Sequence, residues 1–183
     1  MNARKPKLLD AQALLDYAVR CVGARAQTYA ELRAKLLRRA LEPALVAGTL
    51  DRLTEWGYLN DQRFAEGFAT ARLANEGHGK MRVLRDLRQR RVSPAIAGKA
   101  VEETFRETDE PALIEAFLQR KYRGKKLDAL LSEDKHLAGA YRRLRYAGFS
   151  SHNSILVLKK FTAKAEALEA MEPADPPEAE EQE

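Results

Sequence analysis

Basic side chains that could bind an anionic partner recur in this sequence at helical spacing. Arg82, Arg85 and Arg88 follow one another at intervals of three residues, shortly after Lys80. On a helix, Arg82 and Arg85 project from the face opposite the apolar residues of the same stretch, with Arg88 at its flank. Guanidinium and ammonium groups on a solvated face suit phosphates, which position a protein on nucleic acid without reading its sequence. They suit the acidic side chains of a protein partner equally well.

Basic residues in two other stretches repeat this pattern. An earlier stretch carries Lys35 and Arg38, and a later one carries Arg142, Arg143 and Tyr146. We call these five residues, together with Lys80, Arg82, Arg85 and Arg88, the candidate contact residues. A further run, the basic cluster, indicates a helix end that leads into a basic joint and comprises Arg120, Lys121, Arg123, Lys125 and Lys126. Each run alone is typical of an ordinary solvated helix face. The prediction of a binding surface therefore depends on their recurrence.

The sequence does not indicate catalysis or metal binding. Gly79 and Lys80 form a glycine–lysine pair, but the spacing of a phosphate-binding loop is missing. His78, His136 and His152 are far apart and lack the spacing of a metal site. The acidic residues are spread out, without an identifiable nucleophile, base or oxyanion arrangement. We predict a protein that is not an enzyme and that uses no cofactor and no metal.

Composition favours a helical protein of the cytoplasm. Of the 183 residues, 45% are hydrophobic, 32% are charged and only 7% are aromatic. Alanine, leucine, arginine and glutamate recur throughout, and these residues favour helix over sheet. The longest apolar runs are far too short to cross a bilayer, and no apolar signal-peptide core follows the N-terminus. The single cysteine, Cys21, excludes an intramolecular disulfide. We expect no membrane partner.

The charge is distributed unevenly along the chain. The net charge is +5, but residues 172–183 hold six acids, three of the seven prolines and no lysine or arginine. Without those acids, the rest of the chain carries about +11. A proline-rich acidic tail cannot bury enough apolar surface to offset its ordering entropy, so we expect it to be disordered. We also expect it to compete for the basic faces and to weaken non-specific binding to DNA.

Signals for helix starts divide the sequence into short helices. Thr28 and Glu31 have the spacing of a capping box, and Ser93 precedes a proline at a first helical position. Asp109 opens another helix in a similar way. The pattern also repeats, because the register that places Leu36 on Leu87 places Pro43 on Pro94. A looser third copy places Phe149 on Val92. The alternative explanation is that any two amphipathic helices can be slid into partial register.

A repeat of about fifty residues with three helices in each unit predicts a tandem helical array. The predicted fold class is all-α: an elongated, curved array of three three-helix repeats, about nine helices in total, followed by the disordered acidic tail. The predicted repeats span 8–59, 60–108 and 109–171, and the tail spans 172–183. Such an array with soluble end repeats is expected to be monomeric.

The most distinctive stretch is WGYLNDQRFA, from Trp56 to Ala65. Its pattern predicts that Gly57 ends a helix, that Tyr58 and Leu59 pack into the joint, and that Asn60 or Asp61 caps the next helix. A purely structural role explains these residues. They nevertheless closely resemble the G-Y-L-[DN]-D-x-x-[FY]-A signature of the RecX family of RecA regulators. The residues that carry the match are Gly57, Tyr58, Leu59, Asp61, Phe64 and Ala65.

The resemblance extends over residues 8–161, most of the chain. Thr28 with Glu31 and Leu32 resembles the first repeat of the family, and Leu144 with Gly148 and Phe149 resembles the third. The stretch that begins Gly79-x-x-Arg82 resembles the opening of the family's second repeat. The sequence departs from the family at two helix ends, where Ala40 and Arg91 stand in place of the usual glycine.

Membership of this family implies a binding regulator that acts in DNA repair, homologous recombination and the SOS response. It implies a curved array that lodges in the groove of the RecA filament on single-stranded DNA. There the family suppresses ATP hydrolysis, strand exchange and coprotease activity. Charge and periodicity alone leave two alternatives open. One is a basic helical DNA-binding module, of transcription or nucleoid type, that acts independently of RecA. The other is a structural adaptor whose basic faces bind only other proteins.

Overall fold

The computed structural model describes residues 8–171, and within that range the chain forms ten α-helices. In chain order they are α1 (Ala11–Ala24), α2 (Tyr29–Leu37), α3 (Leu45–Glu55), α4 (Asp61–Ala71), α5 (Lys80–Gln89), α6 (Pro94–Phe105), α7 (Glu110–Lys121), α8 (Leu127–Leu131), α9 (Asp134–Tyr146) and α10 (Ser151–Lys159). A π-helical turn (Arg72–Glu76) follows α4, and a 3-10 segment (Ala163–Met171) follows α10. The predicted all-α class is confirmed. The acidic tail, 172–183, lies outside the described residues.

Side chains at the predicted positions cap the helix starts. The Thr28 hydroxyl accepts from the Glu31 amide while the Glu31 carboxylate accepts from the Thr28 amide, which completes a capping box on α2. Asn60, Ser93 and Asp109 each accept from the amide three residues ahead, at the starts of α4, α6 and α7. These caps satisfy amides that have no partner within the helix, which is why each helix begins where it does.

The described residues form two compact units. Of the described residues, the first unit comprises residues 8–76 and Val83–Glu107, and the second comprises Gly77–Arg82 and residues 108–171. The first turn of α5 therefore groups with the second unit and the rest of α5 with the first. The sequence pattern did not indicate this division of α5. Among residues 8–171, no helix combines the length and apolar character that a membrane crossing requires.

The first unit contains two clusters of buried side chains. Leucines of α1, α2 and α3 build the first cluster, in which Leu14, Leu32 and Leu53 are fully buried. The second cluster consists largely of small residues, among them Ala65 and Ala97, which allow α4 and α6 to pack closely. Each three-helix group thus buries its own apolar faces.

An arginine joins the two three-helix groups of the first unit. Arg90, just past the end of α5, donates from Nε and Nη2 to the two carboxylate oxygens of Glu31 at 2.5 and 3.0 Å. The Thr28 hydroxyl donates to the Arg90 carbonyl at 2.8 Å. The guanidinium also covers the ring of Phe64, with 4.9 Å between Cζ and the ring centroid. Arg90 therefore has a structural role that its position in a basic run did not suggest.

The second unit has one more helix than the pattern predicted. Its core surrounds Phe149, which is fully buried and meets the Phe117 ring edge-on. The additional helix is α8, a single short turn between α7 and α9. Leucines at its first, fourth and fifth positions give it an apolar side, and Leu131 is fully buried in the core. This helix was not predicted from the sequence, because five residues are too few to show a helical periodicity.

The prediction that Tyr58 packs into the joint after α3 was wrong. Gly57 does end that helix, in the left-handed conformation with φ +72°, and the Tyr58 amide donates back to the Leu53 carbonyl. Leu59 is buried as predicted, but Tyr58 is 56% exposed. The ring of Tyr58 lies outward, where it meets the exposed ring of Trp56 edge-on.

The remaining signature residues have structural roles. Ala65 is fully buried in the core of the first unit, and Phe64 is half-buried beside Phe68. Asp61 does not cap its own helix. Its carboxylate accepts from the Tyr29 amide at 2.8 Å and so caps the start of α2. Asn60 provides the cap of α4.

Candidate functional site

In the second unit, the start of α5 meets the end of α9 through their backbones. The Gly79 amide donates to the Ala147 carbonyl at 2.9 Å, and the Met81 amide donates to the Gly148 carbonyl at 3.1 Å. Amides at a helix start and carbonyls at a helix end lack partners within their own helices. Each helix end therefore satisfies the other.

This contact requires glycine on both sides. A Cβ added to Gly79 would lie 2.6 Å from the Phe149 nitrogen, and one added to Gly148 would lie 2.8 Å from the Arg82 Cα. Both distances are too short for real carbon contacts. Gly148 also has φ +91°, a left-handed conformation that other residues rarely adopt. The two glycines thus allow the backbones to approach closely enough to bring Arg82 beside the last turn of α9.

Two arginine–tyrosine pairs lie on this part of the second unit. The Arg82 guanidinium lies over the ring of Tyr146, 4.8 Å from its centroid. Arg143 lies over the ring of Tyr122 at 5.4 Å and donates to the Tyr122 hydroxyl at 3.1 Å. Stacking on a guanidinium orients each ring while leaving much of it accessible, and Tyr146 is 68% exposed.

We call Arg82, Tyr122, Arg142, Arg143 and Tyr146 the arginine–tyrosine face. Arg142 is exposed beside the two pairs. Positive charge in the last turns of α9 also complements the helix dipole, and Arg145 there donates to the Phe149 carbonyl at 2.9 Å. Helix stabilisation therefore explains Arg145, whereas the exposed guanidinium of Arg142 leaves donors for a partner.

Helical spacing alone did not place Tyr122 on this face. Tyr122 belongs to the run that contains the basic cluster, and the aromatic residue between the basic ones was the available signal. The structure links the beginning of that run to α9 through Arg143. Of the basic cluster itself, all five residues are exposed. The Arg120 guanidinium lies against the Phe117 ring, 5.6 Å from its centroid.

The other candidate contact residues are not brought into this face. Arg85 and Arg88 are exposed on the part of α5 that belongs to the first unit. Arg38 is exposed at the end of α2, one turn after the half-buried Lys35. Lys80, half-buried at the start of α5, belongs to the second unit. In neither unit do the described residues include a cluster of three histidine, cysteine or acidic side chains that could hold a metal ion.

Comparison with known proteins connects this chain to one family. The family model of the second three-helix domain of RecX matches residues 60–101. The regulatory protein RecX of Mycolicibacterium smegmatis is 30% identical over 149 residues, which cover 79% of this chain and 78% of that protein.

The regulatory protein RecX of Deinococcus radiodurans is more similar over a shorter stretch. It is 43% identical over 108 residues, or 58% of this chain, and the match spans about half of that protein, 49%.

Solved structures of low sequence identity share the fold. The crystal structure of RecX from Lactobacillus salivarius superposes with a TM-score of 0.64 over 82% of this chain and 96% of that one, at 16% identity.

Proposed function

This chain belongs to the RecX family, and we propose that it regulates RecA by binding the RecA filament on single-stranded DNA. The observation that carries this proposal is the arginine–tyrosine face, where Arg142 is exposed beside two guanidinium–aromatic pairs. Guanidinium groups bind phosphates and carboxylates in a fork geometry, and both groups line a nucleoprotein filament. The regulator acts in the cytoplasm, without catalysis of its own.

Binding of this kind inhibits the filament by holding it in one conformation. A regulator that spans adjacent RecA protomers resists the changes coupled to ATP turnover and hinders entry of a second duplex. ATP hydrolysis, strand exchange and coprotease activity then fall together. The basic residues on α2, on α5 and in the basic cluster extend the proposed contact, either to phosphates or to acidic side chains of RecA.

The test is ATP hydrolysis by the cognate RecA on single-stranded DNA, titrated with this protein at substoichiometric ratios. We expect inhibition under salt conditions in which the protein alone has little affinity for naked DNA. An unchanged ATPase, together with strong binding to naked DNA, would contradict the proposal.

A charge reversal on α9 locates the interface. Arg142→Glu should weaken the inhibition of the RecA ATPase by about tenfold in the concentration required, because a phosphate or carboxylate contact becomes a repulsion. Lys135→Glu is the matched control, since it makes the same charge change at an exposed position two turns earlier on the same helix. Equal inhibition by the two variants, with unchanged helical circular dichroism, would place the interface elsewhere.

The excess positive charge favours a second candidate function, a DNA-binding module independent of RecA. Such a module binds naked DNA with an affinity that falls steeply as salt rises, and RecA does not alter that binding. A filament regulator instead prefers the nucleoprotein filament. Measuring binding to naked DNA and to the filament over the same salt series separates the two.

A further inference from the structure

The first unit contains an open cavity of about 320 Å³ beside α4. Tyr58, Phe64 and Phe68 line it with aromatic rings, and Gln27 and Arg63 line it with polar groups. The two phenylalanine rings stack on each other with 5.9 Å between centroids. A guanidinium group lies over each ring. The Arg90 Cζ is 4.9 Å from the centroid of Phe64, and the Arg72 Cζ is 4.9 Å from the centroid of Phe68. The rings are therefore held in place without any ligand.

The cavity is also lined by a side chain with an unused hydrogen-bond acceptor. Gln27 is only 4% exposed, and its amide nitrogen donates to the Cys21 carbonyl at 2.6 Å. That bond fixes which end of the amide is the oxygen, because a carbonyl must meet a donor. The amide oxygen is buried and has no hydrogen-bond partner among the described residues. A buried acceptor without a partner costs free energy, so a ligand that donates a hydrogen bond to it would restore that loss.

The charge around the cavity favours an anionic ligand. Arg63 is the only ionisable side chain apart from Tyr58 among the lining residues described, and none of them is a carboxylate. One Arg63 nitrogen donates to the Gly57 carbonyl at 2.6 Å, which anchors the exposed guanidinium at the rim. These features together match a nucleotide. Its base can stack on the rings and donate a hydrogen bond to the buried acceptor, and its phosphate can face the cation at the rim.

We propose that this cavity binds one unstacked base of a single-stranded nucleic acid. The base stacks against the aromatic side chains, its exocyclic amino group donates to the Gln27 amide oxygen, and Arg63 faces the adjoining phosphate. An acceptor favours a base with an exocyclic amino group, which adenine, cytosine and guanine carry and thymine lacks. This site is separate from the basic faces and does not depend on the action of the protein on RecA.

The ligand series that tests this site uses the full chain and short oligomers of abasic sugar phosphates that differ at one central position, so that no neighbouring base can occupy the cavity. The position holds adenine, purine without its amino group, or an abasic sugar, and binding is measured by fluorescence anisotropy in the absence of RecA. Adenine should bind at least about fivefold more tightly than the abasic oligonucleotide, through stacking. It should bind roughly two- to tenfold more tightly than purine, through the single hydrogen bond.

Gly67 supplies the matched pair of variants. It lines the cavity from the interior of α4, and a Cβ added to it meets no atom within 4 Å. Gly67→Leu fills the cavity and Gly67→Ala does not, although both improve helix propensity. Gly67→Leu should abolish the preference for adenine, and Gly67→Ala should keep it. Tyr58→Ala, at an exposed position that does not contribute to the core, should reduce the preference as well.

The outcomes distinguish each part of the proposal. Equal affinity for all three oligonucleotides, or an adenine preference that survives in Gly67→Leu, would overturn the base-binding site. Equal affinity for adenine and purine would overturn the role of Gln27. Because RecA is absent from this assay, either failure leaves inhibition of the RecA ATPase unaffected. Conversely, an unchanged ATPase leaves the base-binding site standing.

Discussion

Replacing Arg90 with alanine should destabilise the first unit by about 2–3 kcal/mol. The two hydrogen bonds from Arg90 to Glu31 measure 2.5 and 3.0 Å, and the two side chains are 27% and 19% exposed. Disrupting an exposed ion pair costs up to about 1 kcal/mol, and disrupting a buried pair costs about 3–5 kcal/mol. Because this pair is partly buried, the free energy lost with it should lie between these two values. Loss of the guanidinium over Phe64 adds about 0.5–1 kcal/mol.

Urea unfolding followed by tryptophan fluorescence measures this loss. Trp56 is the only tryptophan in the chain and belongs to the first unit, so its emission follows the unfolding of that unit. Arg88→Ala is the control, because Arg88 is exposed on α5 two residues before Arg90. Its removal should change stability by less than about 0.5 kcal/mol.

A double-mutant cycle isolates the contribution of the pair. Glu31→Gln removes the negative charge, and the cycle with Arg90→Ala should give a coupling energy of at least about 1 kcal/mol. If the two substitutions are additive within about 0.3–0.5 kcal/mol, the ion pair does not join the two three-helix groups and the reasoning is refuted.

The same pair should make the stability of the first unit depend on pH. Burial raises the pKa of the Glu31 carboxyl. Hydrogen bonds from Arg90 and from the Thr28 amide, with the charges of Arg90 and Arg25, outweigh burial and hold this pKa below its ordinary value of 4.5. A carboxyl with a lowered folded-state pKa stabilises the fold above its unfolded-state pKa. That contribution is lost as the pH falls through the folded-state value. The stability difference between the natural protein and Arg90→Ala should therefore be full at neutral pH and shrink below 4.5. A difference that stays constant down to about pH 3 would contradict this assignment.

Three further predictions concern helix ends and the tail. Gly148→Ala should destabilise the second unit by at least about 2 kcal/mol in thermal unfolding, because alanine disfavours φ +91° and its Cβ meets the Arg82 backbone; an unchanged transition would contradict the close approach. Arg91→Gly should stabilise the first unit by about 0.5–1 kcal/mol in urea, since Arg91 has φ 59°; a loss of stability would show that the Arg91 side chain matters more than its backbone. A chain that ends at Met171 should bind DNA more tightly than the full chain at low salt, and equal affinities would exclude competition by the acidic tail.

Local chemistry made most of the fold predictable from the sequence. Caps such as Asn60 and Ser93 act within three residues of their own positions, so residue type and spacing were sufficient to predict them. The sequence left open whether the helix end at Arg91 keeps the left-handed conformation that the family's usual glycine would adopt. The helix does end there with a left-handed residue, and the Val92 amide donates to the Leu87 carbonyl as it would after a glycine. An arginine thus occupies the left-handed position, and the helix end closes through this local hydrogen bond.

The candidate site was less predictable, because helical spacing shows which face a residue occupies but not what lies opposite. Tyr122 and Tyr146 are 24 positions apart, yet each pairs with an arginine on the same unit. Tyr58 is exposed although Leu59, whose amide donates to the same Leu53 carbonyl, is buried, and no periodicity indicates which of the two faces outward. The sequence therefore predicts the helices and the basic residues, whereas the aromatic partners of those residues require the tertiary structure.

Two arginines among the described residues, Arg90 and Arg142, consequently differ in a way that composition cannot show. Arg90 is half-buried, donates hydrogen bonds to Glu31 and lies over a phenylalanine ring. Its charge is therefore already neutralised within the fold. Arg142 is exposed and lies beside rings that are stacked on neighbouring guanidinium groups. A buried, paired guanidinium contributes little to the field that an incoming anion meets, whereas an exposed one contributes fully. The total of about +11 outside the tail therefore overstates the charge available for binding. For that reason a reversal at Arg142 should act on the partner and a deletion at Arg90 on the fold. If the reversal at Arg142 instead destabilised the fold and the deletion at Arg90 instead weakened binding to the partner, burial and pairing would be the wrong criteria for locating the interface.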